Sequence, residues 1–324
     1  NYQLDHGSLI LSSRSDSFQL LYFSKLALAR SVELESCDPG RLRAPSEGCE
    51  YLFITHRDFY SAIMPLVNYR RQDYTTRVVI IDDIYDDFSF GKYDPLAIKH
   101  FLYYTTNNWT TVPTFVLLVG DATYDYKNNL GKENSPNFIP LYENGSCLSG
   151  NPGIPPNYIY EGEYVNFGAG EVMVLGRITV RTRQEVRDFI DKVFTYETGN
   201  IDGMWNKRII LAGDDEFGTS WENPHAYHCG ACERGISHIP DSLYELVKVY
   251  MISYPPFIYP AKKPHAQEAF IRELSRGELI GIFYGHGNTH QLAHEGLFYD
   301  YSISRIKNGR RYFFYYFGSC TVGR

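Results

Sequence analysis

Residues 278–287 read ELIGIFYGHG, a short apolar run closed by glycine, histidine and glycine. The run is continuous rather than alternating, which is how a strand reads when both faces of its sheet are covered. The same pattern recurs outward in both directions. Upstream lie EYLFIT (50–55), RVVIID (77–82), TFVLLVGDA (114–122), EVMVLGR (171–177), KRIILAGDD (207–215) and VKVYM (247–251), and downstream lies RRYFFYYFGSC (310–320). Between these runs the apolar spacing turns helical, at 56–71, 94–107, 182–197, 240–246, 265–275 and 301–309. In 182–197, Val186, Phe189, Ile190, Val193 and Phe194 fall on one helix face. Strands alternating with helices predict an α/β fold built on parallel sheets.

At 324 residues the chain exceeds one typical core, so two lobes are expected. Residues 1–46 read as an irregular N-terminal segment that ends in a linker-like stretch, CDPGRLRAPSEGCE (37–50). Residues 47–203 form the first lobe and 204–324 the second. A Gly-, Pro- and Asn-rich excursion at 124–170 interrupts the first lobe. The 28 Tyr and 20 Phe suit half-buried sheets and large contact surfaces.

The net charge of -7 and the absence of a basic run argue against a nucleic-acid backbone as partner. No stretch reads as a membrane span, and the first residues carry no visible signal peptide. Six cysteines fit either redox compartment; if one stays a thiol, an odd number remains to pair. Two glycosylation triplets, at Asn108 and Asn144, matter only in a secretory pathway.

Open parallel sheets bind ligands beyond the carboxyl ends of their strands. Four such ends carry a small residue followed by a polar or reactive one: Gly120-Asp121, Gly213-Asp214-Asp215, Gly285-His286-Gly287 and Gly318-Ser319-Cys320. One helical segment separates the strands that end at His286 and Cys320, so the two tips can be neighbours. A thiol attacks as its thiolate and needs a nearby base or cation, which His286 supplies. The backbone N–H groups of Gly287 and Cys320 would then form an oxyanion hole for acyl transfer.

YGHGNTHQLAHE (284–295) followed by GRRYFFYYFGSC (309–320) resembles the His and Cys motifs of the gingipain-like cysteine peptidases, whose fold is shared with caspases. Upstream blocks continue the resemblance in order, including FVLLVGDATYDY (115–126) and VMVLGRITVRTRQEVRDFIDKVFTYE (172–197), so that it covers about residues 47–320. It implies a parallel-sheet sandwich in two lobes, with the C-terminal part of the catalytic lobe missing. It also implies Cys320 as nucleophile and His286 as the acid that protonates the leaving amine. Asp214, or its neighbour Asp215, would orient His286. The substrate is then a protein or peptide, the reaction needs no cofactor, and the setting is secreted or cell-surface. Self-processing after a basic residue such as Arg324, with a segment following Arg324 as partner, fits the same reading. The other readings are a sortase-like transpeptidase of a secretion system, a catalytically silent interaction module and a zinc-binding regulator.

HAYHCGACERGISH (225–238) gathers His225, His228, Cys229 and Cys232, which invite a zinc ion, a Cys229–Cys232 disulfide or a polar loop beside the cleft. Of these the loop is the leading expectation. Asp82, Asp83, Asp86 and Asp87 have oxygens suited to calcium, but are read first as a solvated strand end. Asp121 and Asp125 pose the same choice, with Asp121 read as capping a turn.

Overall fold

A computed structural model of the chain describes residues 2–5, 8–11, 40–44, 46–123, 125, 137–144, 158–168, 170–199, 203–215, 227–240, 242–255, 262–320 and 322. The expectations for His225 and Arg324 lie outside the described residues, as does the Asn144 triplet beyond Asn144 itself. The chain divides into two compact units. The first comprises Asn1–Arg57 and Arg70–Thr179, the second Asp58–Tyr69 and Val180–Arg324. The boundary therefore falls before the helix at 183–198 rather than after it. Packing explains why: the Phe194 ring of that helix packs at a tilt against Tyr69 at 4.9 Å, Tyr196 meets Phe314 edge to face at 5.4 Å, and Arg183 donates to the Asp58 carbonyl.

In the first unit, β1 (Tyr51–Thr55), β2 (Thr76–Ile80), β3 (Phe115–Val119) and β4 (Val174–Ile178) form a parallel sheet in the order β4-β3-β1-β2. Helix α1 (Tyr60–Arg70) follows β1 and belongs almost wholly to the second unit. Helices α2 (Ile81–Ser89) and α3 (Pro95–Asn108) cover the sheet with Ile81, Ile84, Ile98, Phe101 and Leu102 against Leu52, Ile54 and Leu118. The α3 start is dictated locally: Pro95 fixes φ at the first position and the Asp94 carboxylate accepts from Leu96 N–H at 2.9 Å.

Two expectations change here. RVVIID does not end as a strand with solvated acids, because α2 begins at Ile81 without a loop. Ile81, Ile84, Tyr85 and Phe88 recur at helical spacing and turn inward, which moves the acids onto a helix. Asp87 is buried, and its carboxylate accepts from the backbone N–H groups of Gly40 and Leu42, while Arg43 donates to its carbonyl. The supposed linker is thus anchored at 40–43. Asp82 pairs with Arg57, and Asp83 lies 3.8 Å from Arg41.

The second unit carries β5 (Arg208–Gly213), β6 (Glu245–Tyr250), β7 (Ile280–Tyr284) and β8 (Phe314–Gly318), all parallel, in the order β6-β5-β7-β8. Every residue of β5 is buried, as a central strand requires. Its alternation serves two layers. Ile209 and Leu211 pack with Cys232 of α5 (Tyr227–Gly235) and with Ile236 just after it, whereas Ile210 and Ala212 pack with Ala266, Phe270 and Leu274 of α6 (Pro264–Arg276). Helix α4 (Arg183–Thr198) opens on a capping box between Thr182 and Glu185. The helix expected at 240–246 does not form among the described residues there: a turn leads into β6. The stretch 301–309 holds only a short 3-10 helix, Asp300–Arg305.

Candidate active site

Three strands of the second unit end at one level. Gly213 pairs with Tyr284, and Tyr284 with Gly318. The ladder runs one residue further, through Asp214 N–H to Tyr284 C=O at 3.0 Å and Gly285 N–H to Gly318 C=O at 3.3 Å. His286 and Cys320 therefore each stand two residues past a directly paired couple, on adjacent tips.

Gly287 makes that adjacency tight. A Cβ at this position would lie 2.4 Å from Ser319 Oγ, 2.8 Å from Val322 Cγ2 and 3.3 Å from the Cys320 carbonyl oxygen. Only glycine lets the two turns touch. Gly287 also pairs antiparallel with Leu292, and the two bonds of that bridge run from Asn288 N–H to Gln291 C=O and from Ala293 N–H to His286 C=O. In such a pair the Gly287 N–H points away from Leu292, the orientation an oxyanion donor on this side would need. Cys320 is exposed and has no disulfide partner.

Asp214 is buried behind this turn. Its Oδ2 accepts from the main-chain N–H of His286 at 3.0 Å and its Oδ1 from Asp215 N–H at 2.9 Å. These bonds set the path of the chain that carries the imidazole. Burial pushes the Asp214 carboxyl up from its ordinary range, and the two backbone donors oppose that shift. Asp215 is also buried and is ion-paired with Lys263, whose ammonium donates to the Met251 carbonyl at 2.8 Å. Glu295 completes the group, its carboxyl pushed up to about 7 by burial and by Asp215 and Asp214. Sequence reasoning did not find Lys263 or Glu295. They meet Asp215 only through folding, although a Lys just before an apolar helix and a Glu after the histidine loop were visible.

Asp214, Asp215 and Glu295 are the one cluster among the described residues able to bring three ligand atoms within 4.8 Å. Their oxygens suit a hard cation, but the Lys263 ammonium already holds the cationic position beside Asp215.

Within the 225–238 segment, Tyr227–Gly235 is a helix rather than a loop. Cys229 and Cys232 do not join in a disulfide. Being three residues apart on a helix, both face β5, where Cys229 Sγ contacts the Asp214 carbonyl at 3.7 Å and Cys232 Sγ the Ala212 carbonyl at 3.3 Å. Burial raises the Cys232 thiol to about 11, the behaviour of a small core residue. The ring of His228, the residue before Cys229, meets the His286 ring at 5.4 Å and 80°.

The sequence pattern of peptidase family C25 matches residues 44–324. No curated protein matches the chain. Among solved structures, the complex of the pro- and mature domains of Porphyromonas gingivalis RgpB is similar at 18% identity and a TM-score of 0.59, covering 84% of this chain and 55% of that one. The Arg-specific cysteine proteinase gingipain R is similar at 18% identity and a TM-score of 0.61, covering 86% and 55%. A structure described only as a protease is similar at 16% identity and a TM-score of 0.56. The chain spans about half the length of these solved chains, 52 to 55%. The likeness shows the fold: mixed α/β with parallel sheets, the caspase-like fold of the gingipains.

Proposed function

As the chain belongs to peptidase family C25, a family of cysteine peptidases, we propose that it hydrolyses peptide bonds through Cys320 and His286. The observation that carries this reading is the pairing of β7 with β8, which sets an exposed thiol and an imidazole on touching strand tips. The Cys320 thiolate adds to the scissile carbonyl carbon, and the oxyanion takes hydrogen bonds from the N–H groups of Gly287 and Cys320. His286 passes its proton to the leaving amine as the C–N bond breaks, which leaves a thioester on Cys320. Water then attacks the thioester and His286 takes a proton from it; the C–S bond breaks, the carboxylic acid product leaves, and the Cys320 thiolate is regenerated beside protonated His286.

In this scheme Asp214 acts through the main chain, holding the Gly285–His286 turn rather than reacting. The substrate is a protein or peptide, met in a secreted or surface setting. Cleavage after a basic residue, the chain's own included, is the finer form of the reading, and so is capture of the thioester by an amine, as in a transpeptidase. No helix among the described residues is long and apolar enough to cross a membrane.

The test is digestion of a mixed peptide library by the protein and by its Cys320→Ala variant, with products identified by mass spectrometry. Cuts that need Cys320 support the reading and reveal the residue before the cut. An added amine appearing in the products marks transpeptidation. Identical products from both proteins would refute it.

A further inference from the structure

The imidazole of His286 sits between Gly285 and Gly287, so no neighbouring side chain in sequence restricts its rotation, and the outer torsion of histidine is intrinsically broad. Its orientation must be fixed in space instead. One ring contact reaches it from outside the strand tips. His228 lies in the first turn of α5 and meets the His286 ring with centroids 5.4 Å apart and planes at 80°, the edge-to-face arrangement that aromatic rings favour.

His228 is itself held in place. The next residue, Cys229, is buried against the end of β5, close enough that a Cβ on Gly213 would lie 2.9 Å from its Sγ and 3.2 Å from its Cα. One turn on, Cys232 is fully buried with its Sγ at the Ala212 carbonyl. The helix start is thus clamped onto the strand whose tip carries Asp214. His228 also stands near enough to Asp214 for charge on its ring to favour the carboxylate. The groups near the His228 ring include His286 from β7 and Asp214 from β5, with Tyr227 beside it on its own helix.

We propose that His228 is a positioning residue for His286, its ring fixing the plane in which the His286 imidazole meets the thiol of Cys320. This rests on the reading of Cys320 and His286 as the reacting pair. His228 touches neither substrate nor the reacting bond. It acts by removing rotational freedom from the imidazole before the thiolate attacks.

The full chain is tested as four proteins: the parent, His228→Ala, His228→Phe and His228→Gln. Iodoacetamide labelling of Cys320 is followed by mass spectrometry of its peptide from about pH 5.5 to 9, and kcat and KM are measured on a cleaved peptide. A paired thiol keeps reacting at the acid end, where an ordinary thiol is slow. The Ala variant is expected to lose about tenfold in acid-end labelling and in kcat, equivalent to about 1.4 kcal/mol, with KM unchanged. Phe restores both because it keeps the ring contact, and Gln restores neither. An Ala variant that matches the parent, or Gln restoring as well as Phe, overturns the proposal. A parent that labels like an ordinary thiol overturns the Cys320–His286 pair and this inference with it. That result is distinct from a reactive parent whose variants do not change.

Discussion

Glu278, at the foot of β7, gives the sharpest stability prediction. It is fully buried, and neither carboxyl oxygen has a hydrogen-bond partner. Arg208 faces it from β5 but spends its guanidinium on the Gly277 carbonyl at 2.7 Å and on Glu273 at 2.6 Å. Tyr315 of β8 and Glu273 of α6 are the other ionisable groups near it. Burial pushes the Glu278 carboxyl up to about 8, with Arg208 opposing the shift. The folded state therefore holds this proton more tightly than the unfolded chain. The associated stability is fully present below the unfolded value of 4.5 and is lost as pH rises to about 8. At about 1.4 kcal/mol per unit, the loss between pH 5 and 8 approaches about 4 kcal/mol. Glu278→Gln removes the titration while keeping the shape. Urea unfolding of both proteins at pH 5 and pH 8 is expected to show a parent that loses about 2–4 kcal/mol more than the variant over that interval. Equal losses would mean that Glu278 ionises in the fold at no cost, and the reasoning would fail.

Three further outcomes follow from other contacts. Lys263→Met leaves Asp215 and Glu295 buried without their ammonium; it should cost about 3–5 kcal/mol in urea unfolding, more at pH 8 than at pH 5, because Glu295 ionises near 7. Gly287→Ala inserts a methyl 2.4 Å from Ser319 Oγ and should lower kcat/KM by about 100-fold with only a small shift in thermal midpoint, whereas unchanged kinetics would show that the tips do not need to touch. Asp87→Ala removes the acceptor for Gly40 and Leu42 N–H; it should cost about 1–3 kcal/mol and expose Arg41 and Arg43 to trypsin, read as early cleavage there.

The strands were legible because each is a short apolar run, several of them closed by a glycine, and a parallel sheet buries both faces. His286 and Cys320 could be singled out for the same reason, since the rule about strand ends selects residues without knowing the fold. The helices α2 and α5 were harder to see. In α2, pairs of aspartates masked the spacing of Ile81, Ile84, Tyr85 and Phe88. In α5, two buried cysteines took the places of the usual Leu or Ile, so that Cys229 and Cys232 at helical spacing were read as candidate metal ligands, a disulfide or part of a loop. β6 was legible as VKVYM, but its first two residues, Glu245 and Leu246, read as the end of a helix because the strand begins directly after a turn. The buried group around Asp215 was not legible at all. Lys263 stands 48 residues from Asp215 in the chain, and nothing local announces a contact across that distance.

The most direct test of the account is to trap the acyl group. The protein is mixed with a peptide ester, quenched in acid within seconds and digested, and the tryptic peptide 312–324, which contains Cys320, is weighed. The account predicts a fraction of that peptide heavier by the acyl group, with the added mass on Cys320, and none after His286→Ala or Cys320→Ala. Ester turnover that leaves Cys320 unmodified, or an acyl group found on another residue, would contradict it.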